Sequence, residues 1–222
     1  MVSQVVFTWV NYYPEAACTW LLSTSEHQWL LPAVLAKWTK FDHVAALKSL
    51  ANIHNQEVKI SCQSAIVVEW GYFNPERASK WANENLKGEQ LSDALQVLIG
   101  NWVADYPLDV LKWAKDIDQE NHNSTMMELS LETWAFTDYK PCLHWLNQQI
   151  KGHNRDFGLS KVSDVLMETE PGTAIDVALY ISGIPLQKKS VLKILRTWKL
   201  NSPENLENWT KNHPNIQKLL NQ

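Results

Sequence analysis

Apolar residues recur three and four positions apart through most of the chain. One such stripe contains Leu91, Leu95, Leu98 and Trp102, and residues at this spacing lie on one face of an α-helix. A proline follows five residues after the tryptophan that closes several stripes, as Pro107 does here. Proline is favoured in the first turn of a helix, because its missing N–H needs no partner there. The pattern therefore predicts pairs of helices, each pair joined by a short turn.

The tryptophans show how these helix pairs repeat. Five pairs of tryptophans are separated by eleven residues: Trp9/Trp20, Trp70/Trp81, Trp102/Trp113, Trp134/Trp145 and Trp198/Trp209. The first members, together with Trp38 and Leu166, give anchors at 9, 38, 70, 102, 134, 166 and 198, so every step after the first is 32 residues. A fixed period of this length is typical of stacked helical hairpins. We therefore predict an all-α fold: an α-α superhelix (solenoid) of about seven 32-residue helix-turn-helix repeats, forming a single domain over residues 1–222.

A motif connects the two tryptophans of a repeat. It has the form Trp-x4-Pro-x2-Ala-x2-Trp and is clearest in WGYFNPERASKW at 70–81. Residues that favour the N-cap position start the second helix in four repeats: Asp42, Asn74, Asp138 and Ser202. The motif resembles the α-solenoid repeats of the tetratricopeptide-like and HEAT-like class, and it is most similar to Trp/Ala/Pro repeats of bacterial proteins. It lacks the tetratricopeptide glycine and tyrosine positions. This resemblance implies a fold and no particular activity.

Composition supports helices and a buried role for the indole rings. The chain has twelve tryptophans but only seven glycines, and tight β-hairpins usually need more glycine. The helical stripes place the rings in the core rather than on an exposed ladder that could stack bases. Cys18, Cys62 and Cys142 are far apart and odd in number, which favours reduced core residues of a cytoplasmic protein. We also expect no membrane segment, since no apolar run is long enough to span a bilayer.

No sequence motif indicates catalysis. The chain contains no GxxxxGK[ST], GxGxxG, HExxH, CxxC or GxSxG pattern, so we expect no enzymatic activity and no cofactor. His122 and His153 hold nearly equivalent places in successive repeats, but they have no cysteine or carboxylate pattern beside them. Solvated loop histidines are therefore a better interpretation than a metal site.

A row of basic residues is the candidate binding surface. Lys48, Lys80, Lys112 and His144 each lie ten residues after an anchor, opposite the buried stripe of the second helix. An ordinary solvated face explains them equally simply, because Glu84 and Asp116 follow Lys80 and Lys112 at i+4. The leading hypothesis is a protein-interaction scaffold that binds a protein or peptide partner. Residues 75–148 carry a net charge of −6, which favours a basic partner.

Three further hypotheses concern the ends of the chain. Nucleic-acid binding is the alternative function, through the basic cluster Lys188, Lys189, Lys193 and Arg196. A net charge of −4 argues against it, because phosphate contacts require a basic surplus. Self-association is predicted through the apolar N-terminal repeat, which begins with Val2, Val5, Val6 and Phe7. A capping helix is predicted at the C-terminus from Ile216, Leu219 and Leu220.

Overall fold

The computed structural model describes residues 2–121 and 125–216, and all the regular secondary structure in these ranges is helical. The fold is therefore all-α, as the apolar spacing predicts. The chain forms two compact units, Met1–Trp102 and Val103–Gln222, which we call the N-terminal and C-terminal units. The predicted C-terminal capping residues Leu219 and Leu220 lie outside the described residues, whereas Ile216 is described and buried.

The N-terminal unit is a succession of helices that pack on their neighbours in the chain. Its elements are α1 (Val2–Trp9), α2 (Pro14–Ser23), a 3-10 helix (Ser25–Leu30), α3 (Leu31–Ser49), a second 3-10 helix (Leu50–Asn52), α4 (Gln56–Gly71), α5 (Pro75–Asn85) and most of α6 (Gly88–Asp105). Helix α2 packs against α1 and α3, and α4 packs against α3 and α5. Gly88 begins α6 with a φ of 56°, a left-handed conformation that glycine adopts without strain.

The C-terminal unit adds contacts between alternate helices. Its elements are α7 (Pro107–Asn121), α8 (Thr125–Thr137), α9 (Tyr139–Gln148), α10 (His153–Leu166), α11 (Pro171–Leu179), α12 (Ile184–Asn201) and α13 (Pro203–Lys211). Consecutive helices pack together, and α10 also packs against both α8 and α12. The first helices of successive helix pairs therefore lie side by side in this unit.

Proline positions determine where the second helices begin. Helices α2, α5, α7, α11 and α13 each start at the proline that follows an anchor by five residues. The anchors themselves lie in the last turns of the preceding helices; Trp9 and Leu166, for example, end α1 and α10. Where the motif has His43 instead of proline, α3 continues through the expected turn. Its backbone is non-helical only at Asp42, where φ is −152°.

Three of the four expected N-caps form side-chain hydrogen bonds. Asp42 accepts from the N–H of Ala45, Asn74 from Arg77 and Asp138 from Lys140. Ser202 occupies the N-cap position of α13, but its side chain makes no capping hydrogen bond, so that part of the prediction is wrong. The serine hydroxyl is not needed to start α13, since Pro203 already fixes the first turn.

The anchor side chains form much of the core. Trp38, Trp70, Trp134 and Trp198 are at most 9% exposed, and Leu166 is 1% exposed. The second tryptophans vary more, from 7% exposed for Trp113 to 37% for Trp20. At the N-terminal helix Val6 is buried, whereas Val2 and Val5 are exposed. None of the helices in the described ranges has both the length and the apolarity to cross a membrane.

Candidate functional site

The N-terminal unit contains an open groove of about 870 Å³ between the end of α1, helix α2 and helix α3. Aromatic and acidic side chains dominate its lining: Trp9, Tyr13, Glu15, Trp20, Trp38 and Asp42. We call this the tryptophan groove. Three of the twelve tryptophans of the chain meet in it, so the groove concentrates the residue type that is most over-represented in the sequence.

The hairpin geometry brings two of these rings together. Trp9 ends α1, a short turn follows, and α2 starts at Pro14 and carries Trp20 back towards Trp9. The centroids of the two indole rings lie 6.2 Å apart with an interplanar angle of 57°. Tilted rings at this distance attract each other through the positive edge of one and the negative face of the other. The eleven-residue spacing therefore produces a ring contact across the hairpin.

The same contact recurs in the C-terminal unit. The rings of Trp134 and Trp145 lie 6.0 Å apart at 51°, and those of Trp198 and Trp209 lie 5.3 Å apart at 52°. The sequence shows the spacing of these pairs, but we expected each ring simply to fill the space between helices. The direct pairing was missed, although a constant separation across a turn of constant length is the signal that could have indicated it.

Exposure distinguishes the floor of the tryptophan groove from its walls. Trp38 is 7% exposed and lies deepest, whereas Trp20 is 37% exposed and Tyr13 is 66% exposed. On its other side, Trp20 lies 5.7 Å from the ring of His27. Aromatic walls that reach solvent offer apolar area to a ligand without the entropy cost of ordering a long flexible side chain.

The charges in the tryptophan groove are acidic. Glu15 and Asp42 are the ionisable carboxylates of the lining, and no lysine, arginine or histidine belongs to it. A neighbouring pocket of about 220 Å³ shares Glu15 and Trp38 with the groove and contains Lys48. Indole faces beside carboxylates can bind a cation through cation–π attraction and ion pairing. The arrangement is suited to a lysine or arginine side chain of a ligand.

The four residues of the predicted basic row have different surroundings. Lys48, Lys80, Lys112 and His144 are all exposed. Lys48 lines the pocket beside the tryptophan groove, and Lys112 lines a separate groove in the C-terminal unit. His144 contacts the side-chain amide of Gln148 at 2.9 Å. Within the described part of the chain, neither Lys80 nor Lys112 makes an ion pair, so the i+4 carboxylates do not neutralise them.

The basic cluster proposed for nucleic acid lies on α12. Its four members are exposed: Lys188, Lys189, Lys193 and Arg196. Nζ of Lys193 lies 2.7 Å from Oδ1 of Asp164 on α10, so one of the four charges already has a carboxylate partner. Three cations remain on this face of the helix.

The described residues include no group of three or more His, Cys, Asp and Glu side chains placed to hold a metal ion. Of the two histidines weighed for such a site, His122 lies outside the described residues. Nε2 of His153 lies 2.6 Å from Oε1 of Glu128.

All three cysteines are free and buried. Burial raises the pKa of the Cys62 thiol to about 12, and burial together with the nearby Asp138 carboxylate raises that of Cys142 to about 12. Burial also raises the pKa of Cys18, and it outweighs the opposing hydrogen bond with Ser49. A thiol with a raised pKa is a poor nucleophile near neutral pH, because the reactive thiolate is scarce.

Comparison with known proteins gives no family: no protein-family model, no curated protein and no solved structure matches the chain.

Proposed function

We propose that this chain is a non-enzymatic helical-repeat scaffold that binds a peptide or protein partner, and that the tryptophan groove binds a segment carrying lysine or arginine. One observation carries the proposal: three indole rings and two carboxylates line an open groove without a cation among its lining residues. Such a groove provides apolar area and negative charge together. A basic segment with large apolar side chains is the complementary ligand.

In this proposal the helix pairs are stacked hairpins of an α-solenoid in the tetratricopeptide-like or HEAT-like class, similar to 32-residue Trp/Ala/Pro repeats. Two features support it. In the C-terminal unit α10 packs between α8 and α12, so alternate helices adjoin as they do in stacked repeats. The ion pair between Lys161 and Glu132 also recurs one period later between Lys193 and Asp164. Extended surfaces of this kind commonly bind peptides.

Selection from a random peptide library tests the proposed groove. The wild-type chain is the bait, and the library is first depleted on the variant Trp20→Ala. We expect the enriched peptides to carry lysine or arginine together with large apolar residues, because these groups complement the two carboxylates and the indole rings. Truncating an aromatic anchor of an interface typically weakens binding by about 2 kcal/mol or more, which is roughly 30-fold.

A second tryptophan provides the matched control. Trp29 is 68% exposed and does not belong to the lining of the groove, so Trp29→Ala removes the same atoms elsewhere. The enriched peptides should bind this variant as tightly as the wild type. Equal binding to Trp20→Ala, or the absence of basic residues from the enriched set, contradicts the proposal.

Nucleic-acid binding through the basic C-terminal third is the alternative function. A mobility-shift assay across salt concentrations distinguishes it, since phosphate contacts weaken steeply as salt rises. Binding that is lost at higher salt and on Lys188→Glu/Lys189→Glu would favour this alternative over the scaffold.

A further inference from the structure

The C-terminal unit contains a second large groove, of about 850 Å³, whose charge is opposite to that of the tryptophan groove. It lies between α7, the start of α8, the end of α9 and the first turn of α10. We call it the basic groove. It shares no lining residue with the tryptophan groove, so the inference below goes beyond the proposed function.

The floor of the basic groove is apolar. Leu111 and Met127 are at most 7% exposed, and the half-buried ring of Trp145 lies beside them. At the rim, Leu108 is 57% exposed and Ile150 is 90% exposed. Burial of an isoleucine side chain stabilises by roughly 1.5–3 kcal/mol, so an Ile150 left in water is area that a ligand can cover.

The ionisable side chains of the lining are basic. They are Lys112, Lys115, Lys151, His153 and Arg155. Within the described ranges the three lysines make no ion pair, and all three are exposed. The lining contains no aspartate or glutamate, although Glu128 contacts His153 from outside it.

The acidic residues of α7 do not cancel this charge. Asp109 and Asp116 are exposed and do not belong to the lining. Asp118 is buried, and its carboxylate accepts hydrogen bonds from the N–H groups of Met126 and Met127 at the start of α8. The basic groove therefore keeps a positive surplus within a part of the sequence that is acidic overall.

Arg155 supplies a second and independent sign of an anionic ligand. Its side chain is 9% exposed, and its Nε atom is buried without a hydrogen-bond partner in the described structure. Nη1 donates to the carbonyl oxygen of Tyr180 at 3.0 Å and lies 3.7 Å from the Asp156 carboxylate. Leaving a buried N–H of a charged group unpaired is costly, so an acceptor that reaches it is favoured.

The N-terminus of α10 lies in the same groove. Gly152 holds the N-cap position with no side-chain hydrogen bond, and Gly152, His153, Asn154 and Arg155 all belong to the lining. The first N–H groups of a helix lack partners within it and carry partial positive charge. Carboxylates are therefore attracted to this end of α10 in addition to the lysines.

We propose that the basic groove binds an acidic peptide segment of a partner protein. Apolar side chains of the segment pack on Leu111 and Trp145, while its carboxylates contact the lysines of α7 and the first turn of α10. The apolar floor favours a peptide over a nucleic acid. Bases bind to proteins largely by stacking on exposed aromatic rings, and this lining offers one half-buried indole.

Fluorescence anisotropy with dye-labelled peptides tests the proposal. The probe is a short peptide of glutamate and leucine; a glutamate–serine peptide and a lysine–leucine peptide have the same length. We expect the glutamate–leucine peptide to bind and the other two to bind at least about tenfold more weakly. Equal binding of the glutamate–serine peptide would show non-specific charge attraction, and absence of binding by the glutamate–leucine peptide overturns the proposal.

Charge reversal identifies the surface that binds the probe. Lys112→Glu/Lys115→Glu should weaken binding by about tenfold or more, because both exposed lysines then repel the carboxylates. Lys151→Glu, in the turn before α10, should weaken it independently. The matched control is Lys188→Glu/Lys189→Glu, which changes the net charge equally on α12 and should leave the affinity unchanged.

Two outcomes overturn the assignment even when the probe binds. Equal weakening by the α12 control would show that overall charge controls binding rather than the groove. Tighter binding of a single-stranded oligonucleotide, competed by the peptide and lost in Lys112→Glu/Lys115→Glu, would make the groove a nucleic-acid site. Peptide selection on the tryptophan groove uses basic ligands, so each proposal can fail without the other.

Discussion

Nζ of Lys161 lies 2.6 Å from Oε1 of Glu132, and this contact joins α10 to α8. The equivalent contact occurs 32 residues later, where Nζ of Lys193 lies 2.7 Å from Oδ1 of Asp164 and joins α12 to α10. Both the lysine and the carboxylate advance by one full period. The period first seen in the tryptophans is therefore also present in the polar contacts between alternate helices.

The Lys161–Glu132 contact should contribute modestly to stability. We expect a double-mutant cycle with Lys161→Met and Glu132→Gln to give a coupling energy of about 0.5–1 kcal/mol in urea unfolding, since both side chains are partly exposed. The coupling should decrease as salt is added. Lys80 and Glu84, which form no ion pair in the structure, provide the control cycle and should give a coupling near zero. Equal couplings in the two cycles would contradict this expectation.

Gly158 should not tolerate a methyl group. A Cβ atom at this position would lie 2.6 Å from Cδ2 of the buried Leu146, so α10 and α9 would have to move apart or Leu146 would have to change rotamer. We expect Gly158→Ala to lower the free energy of unfolding by about 1–3 kcal/mol. Gly100→Ala has no atom within 4 Å of its new Cβ and should raise it by about 0.5–1 kcal/mol, the usual gain from alanine in a helix. Chemical denaturation of both variants measures the difference; a stabilised Gly158→Ala would refute the packing argument.

Asp156 should stabilise the start of α12. Its carboxylate accepts hydrogen bonds from the N–H and hydroxyl of Ser182 and from the N–H of Gly183. Asp156→Asn should lower the free energy of unfolding by about 2 kcal/mol or more at neutral pH. The exposed Asp176, which has no partner in the described structure, provides the control Asp176→Asn, and this variant should change stability little.

The effect of Asp156→Asn should also depend on pH. Burial alone raises the pKa of Asp156, but the hydrogen bonds from Ser182 and Gly183 and the nearby Arg155 outweigh it, and the pKa lies below its usual value. Because the folded-state pKa is lowered, the stabilisation is fully present above the unfolded-state pKa of about 3.9 and is lost as the pH falls through the folded-state pKa. Wild type and variant should therefore converge in acid. A difference in stability that stays constant down to acidic pH would contradict this prediction.

The cysteines should resist modification while the chain is folded. The pKa values of Cys62 and Cys142 are raised to about 12, and both side chains are 0% exposed. We expect an aromatic disulfide reagent to label them only at the rate of unfolding, even in mildly alkaline solution. An introduced Ser61→Cys, beside Cys62 but exposed, should react at once. Rapid labelling of the native wild type would show that these thiols reach solvent.

The sequence predicted the order of the helices well, because the determining signals are local. Proline at the first turn and a tryptophan eleven residues apart from its partner depend only on nearby residues, and Pro75 does begin α5. The same rule failed to separate two helices in α3, where His43 permits the helix to continue and only Asp42 departs from helical geometry.

The grooves could not be predicted in the same way. Lys112 was selected because it lies opposite a buried stripe, but its neighbours Lys151 and Arg155 come from another helix pair. Similarly, Asp42 was recognised as an N-cap and not as a wall of the tryptophan groove. Such surfaces depend on how helices distant in sequence approach one another, and a single periodic pattern does not specify that distance.

The spacing of the lysine–carboxylate contacts has an evolutionary consequence. Deletion of 32 residues between Glu132 and Lys193 would place Lys193 at the position that Lys161 now occupies, opposite Glu132, and so restore the contact. Duplication of the same segment would add one more contact of the same kind. The gene can therefore gain or lose whole modules by recombination while each new junction inherits its own electrostatic match, so the length of the array can change in steps without redesign of the helices on either side.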